Sequence, residues 1–411
     1  MTDAAEIVIA GGGMVGISLA LHLAGRLPST TGITLVESYP LRGGGADYNP
    51  SFDARSTALS YSSRLIYSDL GLWQSLSRWA EPIRHIHVSS QGRFGSSLMH
   101  ADDHGWSGLG YVVENAWLGR VLLDALQSSS RIRVVSPASA SAARACEGRM
   151  ELTLADAADA TMTADLLVIA DGARSRLRDA LGIGARTREY AEHALVANVA
   201  FSRPHAGIAY ERFTPTGPMA LLPLPASADA PHRAALVWTL PEDRAAELAA
   251  APADAFLRAL QRVFGYRLGR ARQVGERTTY PLSLVEAQEC ARRHVVVVGN
   301  AAHALHPVAG QGFNLALRDV AALSDVLAEA AAQGESPGEP AVLARYAGRQ
   351  RLDQQRTIAA SDALPGLFMS ADPVFSFARD LALSGLDIAP GAKSLFVRHA
   401  AGVAALEVGG A

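Results

Sequence analysis

Three short apolar segments divide the chain, and each is followed by small or polar residues and then by a helical pattern. They are Ile7–Ala10, Leu166–Ala170 and Val295–Val298. Continuous aliphatic runs of this length are typical of strands that are buried on both faces of a parallel sheet. The pattern therefore predicts an α/β domain whose central strands come from distant parts of the sequence.

The segment 190–290 has a different pattern. Its short runs, such as HALVANVAFSR and RAALVWTLP, alternate between apolar and polar residues and are interrupted by prolines. This alternation predicts a mostly antiparallel sheet, which we expect to form a second domain inserted into the first. We predict a first domain from residues 1–83, 101–185 and 285–345, a second domain from residues 84–100 and 186–284, and a C-terminal helical region from residues 346–411.

The composition limits the classes of function. The chain has 411 residues, of which 49% are hydrophobic and 19% are charged, so it can bury a large core. A net charge of −3 without a basic cluster argues against a nucleic-acid partner. Cys146 and Cys290 are far apart in the sequence, and we expect reduced thiols in the cytoplasm. No apolar run is long enough to predict a transmembrane helix.

The N-terminal segment EIVIAGGGMVGISLALHLAG contains the pattern GxGxxG between a predicted strand and a predicted helix. Gly11 permits a tight turn, Gly13 lets the backbone approach a pyrophosphate, and Gly16 lets helix and strand pack closely. A second strand ends at Glu37, where an acidic residue is expected to bind an adenosine ribose. This order of elements favours a dinucleotide site over a glycine-rich turn without a ligand. Because Glu37 would repel a 2′-phosphate, we expect NAD or FAD rather than NADP.

Two further strand ends carry candidate binding residues. Asp171 and Gly172 follow the second apolar segment, in the region where doubly wound sheets bind ligands. The segment VVVVGNAAHALHPVAGQGFN then joins the third strand to a helix that begins near Gly312. Its glycines and the helix N-terminus can hold an anionic or electron-rich ring edge. His303 and His306 have no obvious third ligand nearby, so a role in structuring the loop is favoured and no metal is expected.

Together these motifs resemble the group A flavoprotein monooxygenases of the p-hydroxybenzoate hydroxylase type. The N-terminal GxGxxG, DGARS and GNAAHALHPVAGQGFNLALRD occur in the order typical of that family and span most of the chain. FDARSTALS, GYVVEN and YERFTPTGPMALLPLP are closer to the ubiquinone-biosynthesis branch, above all to the 2-polyprenyl-6-methoxyphenol hydroxylases. The wider family usually has aspartate at the position of Asn300, and asparagine favours this branch. The resemblance implies a Rossmann-like FAD-binding domain with an inserted, mostly antiparallel substrate domain.

The resemblance also implies roles for individual residues, and most of these concern FAD. The ADP half of FAD would bind at the first glycine-rich turn and the isoalloxazine ring at the last one. No side chain is implied as a nucleophile, and His306 is only a weak candidate for proton transfer. The implied cofactor-binding residues are Gly11, Gly13, Met14, Gly16, Glu37, Asp171, Gly172, Asn300, Pro307, Gly310, Gln311, Gly312, Phe313 and Asn314, with Arg55 and Arg120 as weaker candidates.

The activity implied by the resemblance is the hydroxylation of a phenol ring. In this family NAD(P)H reduces FAD, O₂ adds to the flavin as a C4a-hydroperoxide, and one oxygen atom is transferred to the ring. The chain has a single dinucleotide fingerprint, so NAD(P)H is expected as a transient reductant. The expected substrate is a polyprenylated (methoxy)phenol in ubiquinone biosynthesis. Three alternatives stay open: a hydroxylase of small soluble aromatics, a flavin halogenase or reductase, and a non-enzymatic carrier of a prenylated protein.

Two segments bear on the substrate and on the location of the protein. Tyr210–Pro225, predicted as a strand, is largely apolar, and Phe213, Ala220 and Leu222 are expected to face the substrate. Arg212 is its only cation that could pair with a substrate carboxylate, so this wall fits a lipid tail better than a small acid. The apolar C-terminal region can pack on the FAD domain, or it can contact the inner membrane or proteins of a biosynthetic complex. The expected location is the cytoplasm, including the membrane surface.

Overall fold

The computed structural model describes residues 5–41, 48, 50–52, 54–92, 96–155, 160–305, 310–369 and 390–403. Two predicted site residues, His306 and Pro307, lie outside these ranges. The strands are β1 (Glu6–Ala10), β2 (Gly32–Val36), β3 (Ser56–Ser60), β4 (Ala80–Ile83), β5 (His85–Ser90), β6 (Ser96–His100), β7 (Gly110–Glu114), β8 (Arg133–Val135), β9 (Ser139–Cys146), β10 (Arg149–Ala155), β11 (Thr161–Ala164), β12 (Leu166–Ile169), β13 (Ala185–Phe201), β14 (Ile208–Thr214), β15 (Gly217–Pro223), β16 (Arg233–Pro241), β17 (Ala271–Val274), β18 (Thr278–Ala287), β19 (Ala291–Arg292), β20 (Val295–Val297) and β21 (His303–Ala304).

The helices connect these strands and cover the sheets. They are α1 (Met14–Arg26), α2 (Tyr61–Asp69), α3 (Trp73–Leu76), α4 (Asn115–Ser128), α5 (Arg176–Ala180), α6 (Glu242–Ala250), α7 (Ala253–Phe264), α8 (Gln311–Ala332), α9 (Pro340–Met369) and α10 (Pro390–Ala400).

A six-stranded sheet forms the first layer, in the order β19-β20-β12-β1-β2-β8. β1 is parallel to β2 and to β12, and β12 is parallel to β20, so the three apolar segments are neighbouring strands as predicted. Ile7, Ile9 and Val296 are fully buried in one core with Leu19 of α1 and Leu317 of α8. Because these strands are parallel, the loops that follow them lie at the same edge of the sheet.

A second, larger sheet has the order β21-β18-β13-β16-β15-β14-β5-β6, and β17 pairs with β13 at its side. Most of its pairs are antiparallel, as predicted, but β14 and β5 are parallel. Tyr210–Pro225 was predicted as one strand, and this is wrong, because β14 and β15 form a hairpin within it. The chain turns between Thr214 and Gly217. Gly217 has a φ of +138°, and a Cβ there would lie 2.4 Å from the Thr239 carbonyl oxygen. Only glycine fits at this point of the turn.

The larger sheet has two different faces. On one of them Met219 and Leu236 pack with side chains of α6 and α7 in a separate core. We call this the helix-covered face and the opposite one the front face. On the front face the Asn198 amide donates hydrogen bonds of 2.7 Å to the backbone oxygens of Phe52 and Ala54, which precede β3. The front face therefore contacts the segment before β3, and Leu59 of β3 packs in the core of the first layer.

A buried ion pair joins the larger sheet to β7, which lies in a separate three-stranded sheet with β3 and β4. Arg233 of β16 donates to Glu114 at the end of β7, with 2.5 Å between Nη2 and Oε1, and both side chains are almost completely buried. Arg233 also donates to the backbone oxygens of Ser51 and Pro225, and the Tyr48 hydroxyl donates to the second oxygen of Glu114. Every polar group of the pair thus has a partner, which is the condition under which a buried ion pair is tolerated.

Two three-stranded antiparallel sheets, β3-β7-β4 and β9-β10-β11, complete the fold. The division of the chain into two domains stays a prediction, and β21, from the segment assigned to the first domain, pairs with β18 of the larger sheet. In α10, Val397 packs against Met99 and Leu109. Among the helices that the structure describes, we find none that is both long and apolar enough to cross a bilayer.

Candidate active site

Two glycines in the turn after β1 have no room for a side chain. Gly11 has a φ of +116°, and a Cβ there would lie 2.4 Å from the Ala170 carbonyl oxygen. A Cβ on Gly16 would lie 1.9 Å from the carbonyl oxygen of Gly11. Gly11 therefore makes the tight turn beside the end of β12, and Gly16 lets α1 pack closely on that turn.

The middle glycine of the turn has open space in front of it. A Cβ on Gly13 would meet no heavy atom of the described residues within 4 Å. Gly13 is also the N-cap of α1, and no side chain of the described residues caps the free N–H groups of the first helical turn. Met14, which begins α1, packs against the core of the first layer. A pyrophosphate can therefore reach the N-terminus of α1, where the N–H groups and the helix dipole favour an anion.

Glu37 lies directly after β2, beside the same turn. Its Oε2 accepts a hydrogen bond of 2.5 Å from the N–H of Gly12. Its Oε1 accepts hydrogen bonds of 2.9 Å from the Ser38 hydroxyl and the Tyr39 N–H. These bonds hold the carboxylate where a ribose-binding acid is expected in a dinucleotide site.

The second and third strand ends add exposed polar groups to this edge. Asp171 follows β12, Asn300 follows β20, and both side chains are exposed. Gly172 and Gly299 have φ values of +94° and +63°, a region that favours glycine. Because β1, β12 and β20 are neighbouring parallel strands, Gly13, Asp171 and Asn300 belong to three successive loops at one edge.

One buried arginine, not identified from the sequence, connects two of these loops. Arg178 of α5 donates a hydrogen bond of 2.9 Å from Nη1 to the carbonyl oxygen of Ala301, next to Asn300. It also contacts Asp179 at 2.9 Å. The motif DGARSRLR contains three arginines, and no local pattern in it indicates that only Arg178 is buried. We infer that Arg178 fixes the loop after β20 relative to the loop after β12.

The side chain of Asn314 fixes the N-terminus of α8. Its Nδ2 donates to the carbonyl oxygens of Ala58 and Gly310, and its Oδ1 accepts from the Ser60 N–H and the Ser63 hydroxyl. The residue is 2% exposed, so all hydrogen-bonding groups of its amide are used inside the protein. We therefore expect Asn314 to orient α8 rather than to contact a flavin through its side chain.

The other predicted residues in the first turn of α8 have different surroundings. Gln311 donates a hydrogen bond of 3.2 Å to the Ala400 carbonyl oxygen in α10, and Phe313 packs against the core of the first layer. A Cβ on Gly312 would lie 3.8 Å from Leu305, which is an ordinary contact distance. Contacts of these residues with an isoalloxazine ring stay a prediction.

The two weaker candidates, Arg55 and Arg120, lie on different elements. The Arg55 guanidinium lies over the ring of Tyr280 in β18, 5.1 Å from its centroid. Arg120 lies 3.7 Å from Asp124, one turn further along α4. Arg55 therefore contacts the larger sheet, whereas Arg120 interacts along its own helix.

His303 contacts a carboxylate in the protein interior. Its Nε2 lies 2.5 Å from Oδ2 of Asp319 in α8, and both side chains are buried. Gln354 donates a hydrogen bond of 2.9 Å to the other oxygen of Asp319. Burial by itself lowers the pKa of His303, but the adjacent Asp319 carboxylate outweighs this effect and raises it. Within the described ranges, no three His, Cys, Asp or Glu side chains are grouped so that they could hold a metal ion.

A row of partly open residues crosses the front face of the larger sheet. The strand register puts Val88, Glu211, Ala220, Val237 and Val196 side by side on β5, β14, β15, β16 and β13. All five are partly exposed, although most positions of β15 and β16 on the helix-covered face are buried. We infer a cavity in front of these partly exposed interior positions, and we call these five residues the cavity floor.

The predicted substrate-facing residues lie on this front face. Ala220 and Leu222 alternate with Met219 and Leu221, which are buried against the helix-covered face. Phe213 is on the same face as Ala220, at the end of β14, and is 6% exposed. Direct contact of these three residues with a substrate stays a prediction.

Arg212 points away from the cavity floor. Its Nε donates a hydrogen bond of 2.7 Å to the carbonyl oxygen of Val263 in α7, and its Nη1 donates one of 3.3 Å to the Ser89 hydroxyl. The only cation of the hairpin is therefore on the helix-covered face. It cannot pair with a carboxylate in front of the sheet.

The surroundings of the three strand ends fit FAD. The open space at Gly13 leaves room for a pyrophosphate, and the carboxylate of Glu37 is suited to a ribose. Gly299 and Gly310 both have left-handed backbone conformations, so the chain can approach a flat ring closely at either side of the loop before α8.

Comparison with known proteins agrees with this geometry. The family described as FAD binding domain matches residues 4–361 of the chain. The chain belongs to this family. FAD is therefore its cofactor, and the predicted Rossmann-like fold with a largely antiparallel second sheet is confirmed.

Relatives of this flavoprotein are named as enzymes of ubiquinone biosynthesis. Ubiquinone hydroxylase UbiL of Rhodospirillum rubrum is 37% identical over 398 residues, which are 97% of this chain and 90% of the relative. The 3-demethoxyubiquinol 3-hydroxylase of Escherichia coli is 31% identical over 97% of this chain and 98% of its own length. The ubiquinone biosynthesis monooxygenase COQ6 of Danio rerio is 28% identical over 96% and 89%. The resemblance to this branch is thus confirmed.

Solved structures share the fold of the flavoprotein. The p-nitrophenol 4-monooxygenase PnpA from Pseudomonas putida has a TM-score of 0.75 at 17% identity and 97% coverage of both chains. PqsL, a probable FAD-dependent monooxygenase from Pseudomonas aeruginosa, has a TM-score of 0.75 at 20% identity, with 92% and 99% coverage. At such identities only the fold is shared. Taken with the family and the relatives, the protein is an FAD-dependent aromatic hydroxylase.

Proposed function

We propose that this flavoprotein hydroxylates the ring of a polyprenylated (methoxy)phenol in ubiquinone biosynthesis. NAD(P)H is the proposed transient reductant and O₂ the oxygen donor. Three relatives that align with at least 96% of the chain carry names from this pathway, which supports the assignment. The assignment also explains why the protein has an FAD site but no second dinucleotide fingerprint in its sequence.

The proposed class of substrate rests on the residues of the cavity floor. Four of its five side chains are apolar, and the cation nearest in sequence, Arg212, is turned to the other face. A hydroxylase of a small aromatic acid needs a buried cation to pair with the substrate carboxylate. A polyprenyl tail needs only apolar surface, and each buried methylene contributes about 0.8 kcal/mol. The floor therefore fits a lipid phenol better than a small acid.

The residues of the chain bind and orient the reactants in this mechanism. The α1 N-terminus at Gly13 would bind the pyrophosphate of FAD, Glu37 its ribose, and the loops with Asp171 and Asn300 the region between pyrophosphate and ring. The N-terminus of α8, oriented by Asn314, would approach the ring. When bound, FAD supplies the redox chemistry with NAD(P)H and O₂. The apolar floor excludes water from the reacting centre, which limits the wasteful release of peroxide.

The experiment is a direct comparison of two substrates. The purified holoenzyme is given NAD(P)H and ¹⁸O₂ together with either a short-chain prenyl-methoxyphenol or 4-hydroxybenzoate. We expect one ¹⁸O atom in the ring of the prenyl phenol, detected by mass spectrometry. Ring hydroxylation of 4-hydroxybenzoate without turnover of the prenyl phenol would reject the proposal in favour of a hydroxylase of small soluble aromatics.

We also propose that the protein works at the surface of the inner membrane, where a polyprenyl substrate is available, or within a complex of ubiquinone-biosynthesis proteins. The C-terminal region is the proposed contact. Deleting it is a poor test, because Val397 packs against Met99 and Leu109 and its loss would uncover them. Flotation of the intact protein with vesicles of inner-membrane lipids, with and without prenyl phenol, is preferable. An intact protein that never floats with vesicles and elutes alone from cell extracts would refute this location.

A further inference from the structure

The cavity floor contains one ionisable side chain, Glu211. Its orientation follows from its neighbours on β14, since Arg212 donates to Val263 of α7 and Tyr210 packs with Phe264 of α7 on the helix-covered face. Glu211 alternates with both of them and pairs with Ala220 and Val88, so its side chain is on the front face. A carboxylate thus lies in a row of five residues whose other four side chains are apolar.

The carboxylate of Glu211 has no hydrogen bond or ion pair with any of the residues that the structure describes. The neighbouring strands present Val88 and Ala220 to it. The titratable groups nearest in register, Arg212 and His87, are on the helix-covered face, where His87 contacts the ring of Tyr210. In α9, which contacts β14, the carboxylate of Asp362 is paired with Arg188. No described charge compensates Glu211.

Keeping such a carboxylate ionised costs free energy, because burial disfavours the charged form. Burial raises the pKa of Glu211 to about 7. At neutral pH the group can therefore either accept a hydrogen bond or carry a proton. A binding partner that brings a hydroxyl to the cavity would supply the missing hydrogen bond.

We propose that Glu211 binds the phenolic hydroxyl of the substrate and accepts its proton during hydroxylation. This inference rests on the proposed function and identifies the polar contact that the apolar floor otherwise lacks. Hydroxylation needs an electron-rich ring, and the phenolate form of the substrate is more electron-rich than the phenol. In the step, the O–H bond of the phenol breaks, its electron pair stays on the phenolic oxygen, and the proton forms an O–H bond on the Glu211 carboxylate. No electrons are exchanged with the protein.

The same residue determines which aromatics are rejected. A negative carboxylate on the floor repels the carboxylate of 4-hydroxybenzoate, and no cation of the hairpin lies on this face to offset the repulsion. A neutral prenyl phenol meets no such repulsion. Glu211 is thus a specificity-determining residue as well as a catalytic one.

Three variants test the proposal: Glu211→Gln, Glu211→Ala and the control Glu247→Gln. Glu247 is an exposed residue of α6, on the other side of the sheet, where it pairs with Arg244, so the control removes the same charge far from the cavity. Two ligands are titrated into each holoenzyme: a short-chain prenyl-methoxyphenol and its O-methyl ether, which lacks the hydroxyl. The wild type and Glu247→Gln should prefer the phenol by about 10- to 100-fold, the range expected for a hydrogen bond to a charged group. Glu211→Ala should lose this preference.

A pH profile separates this role from a structural one. For the wild type, kcat/KM with the prenyl phenol should rise with pH through about 7, as Glu211 ionises. The Glu211→Gln variant, which conserves the shape, should lack this rise and bind 4-hydroxybenzoate more tightly than the wild type. Flavin content and thermal stability verify that the variants are folded.

The outcomes distinguish the two proposals. If the wild type hydroxylates the prenyl phenol and both Glu211 variants retain its phenol preference and its pH profile, the role of Glu211 is refuted and the proposed function stands. If the wild type neither binds nor hydroxylates the prenyl phenol, both proposals fail together.

Discussion

Gly13 and Gly16 belong to one motif and are three residues apart, yet they differ in the space that is available for a side chain. A methyl group on Gly16 would collide with the Gly11 carbonyl oxygen at 1.9 Å, whereas one on Gly13 would meet nothing within 4 Å in the described part of the protein. Gly13 also has a φ of −71°, which any residue can adopt. Gly16, like Gly11, is thus required by the fold, whereas only a ligand explains the need for Gly13.

We therefore predict that Gly13→Ala leaves the stability of the apoprotein within about 0.5 kcal/mol of the wild type but weakens FAD binding by at least about tenfold. Gly25→Ala is the matched control, because it lies in the same helix, in open space, away from the turn. Its FAD affinity should be unchanged. Flavin fluorescence titration and chemical denaturation measure both properties, and equal FAD affinity of Gly13→Ala and Gly25→Ala would contradict the assignment.

His303 and Asp319 make stability depend on pH. The pKa of His303 is raised in the folded protein above the ordinary value of 6.5. A raised pKa means that the pair stabilises the fold fully below pH 6.5 and that this contribution is lost as the pH rises through the folded pKa. Asp319→Asn should therefore lower the free energy of unfolding more at pH 6 than at pH 9, by a difference of about 1–2 kcal/mol. Denaturant titrations at the two pH values measure this difference.

The control for this prediction is Asp362→Asn, which breaks the more exposed pair with Arg188. Arginine does not titrate in this range, so the cost of this change should be the same at pH 6 and pH 9. An equal cost of Asp319→Asn at both pH values would mean that His303 is neutral throughout.

At the level of secondary structure, the sequence was informative wherever a local rule applied. The aliphatic runs and the GxGxxG pattern correctly predicted β1, β12 and β20 and the sharp turn before α1, because burial on both faces and the absence of a Cβ are local requirements. The hairpin of β14 and β15 was missed. The sequence between Thr214 and Gly217, where the chain turns, is also typical of an extended strand that contains proline. The buried partners of Asn314 and Arg178 come from 254 and 123 residues away, and no local pattern reveals such contacts.

Variants of Asn314 and Asn300 can distinguish a residue that stabilises a helix from one that binds the cofactor. Asn314→Ala should destabilise the protein by about 2–4 kcal/mol, because it leaves the Ser60 N–H and other buried groups at the α8 N-terminus without partners. Asn300 is exposed, so Asn300→Ala should change stability by less than about 0.5 kcal/mol and should instead weaken FAD binding. Denaturation curves of the apoproteins and FAD titrations of the variants measure the two effects. Equal stability of both variants would show that Asn314 does not anchor α8.

Across the whole molecule, Arg233 and Glu114 form a buried ion pair that connects the larger sheet to β7. Truncating one partner leaves the other charged and buried, which typically costs 3–5 kcal/mol. We predict that Arg233→Met lowers the free energy of unfolding by about this amount, while Arg233→Met combined with Glu114→Leu recovers part of the loss. Denaturant titration of the apoproteins measures these free energies of unfolding.

The control is Arg144→Met, which removes an arginine that pairs with Glu151 at the surface and should cost less than about 1 kcal/mol. If the double variant is no more stable than the single one, the loss does not come from an uncompensated charge.

The order of strands in the six-stranded sheet also has a consequence for the synthesis of the protein. β1, β2 and β12 are made early, but β20, which covers the free edge of β12, begins only at Val295. A ribosome adding 5–20 residues per second takes on the order of ten seconds to cover that interval. During this time the apolar edge at Leu167–Ile169 is unpaired, and the residues of the last cofactor loop do not yet exist. Until β20 is made, the nascent chain therefore exposes this edge, and the flavin site is complete only after the last cofactor loop has been synthesised.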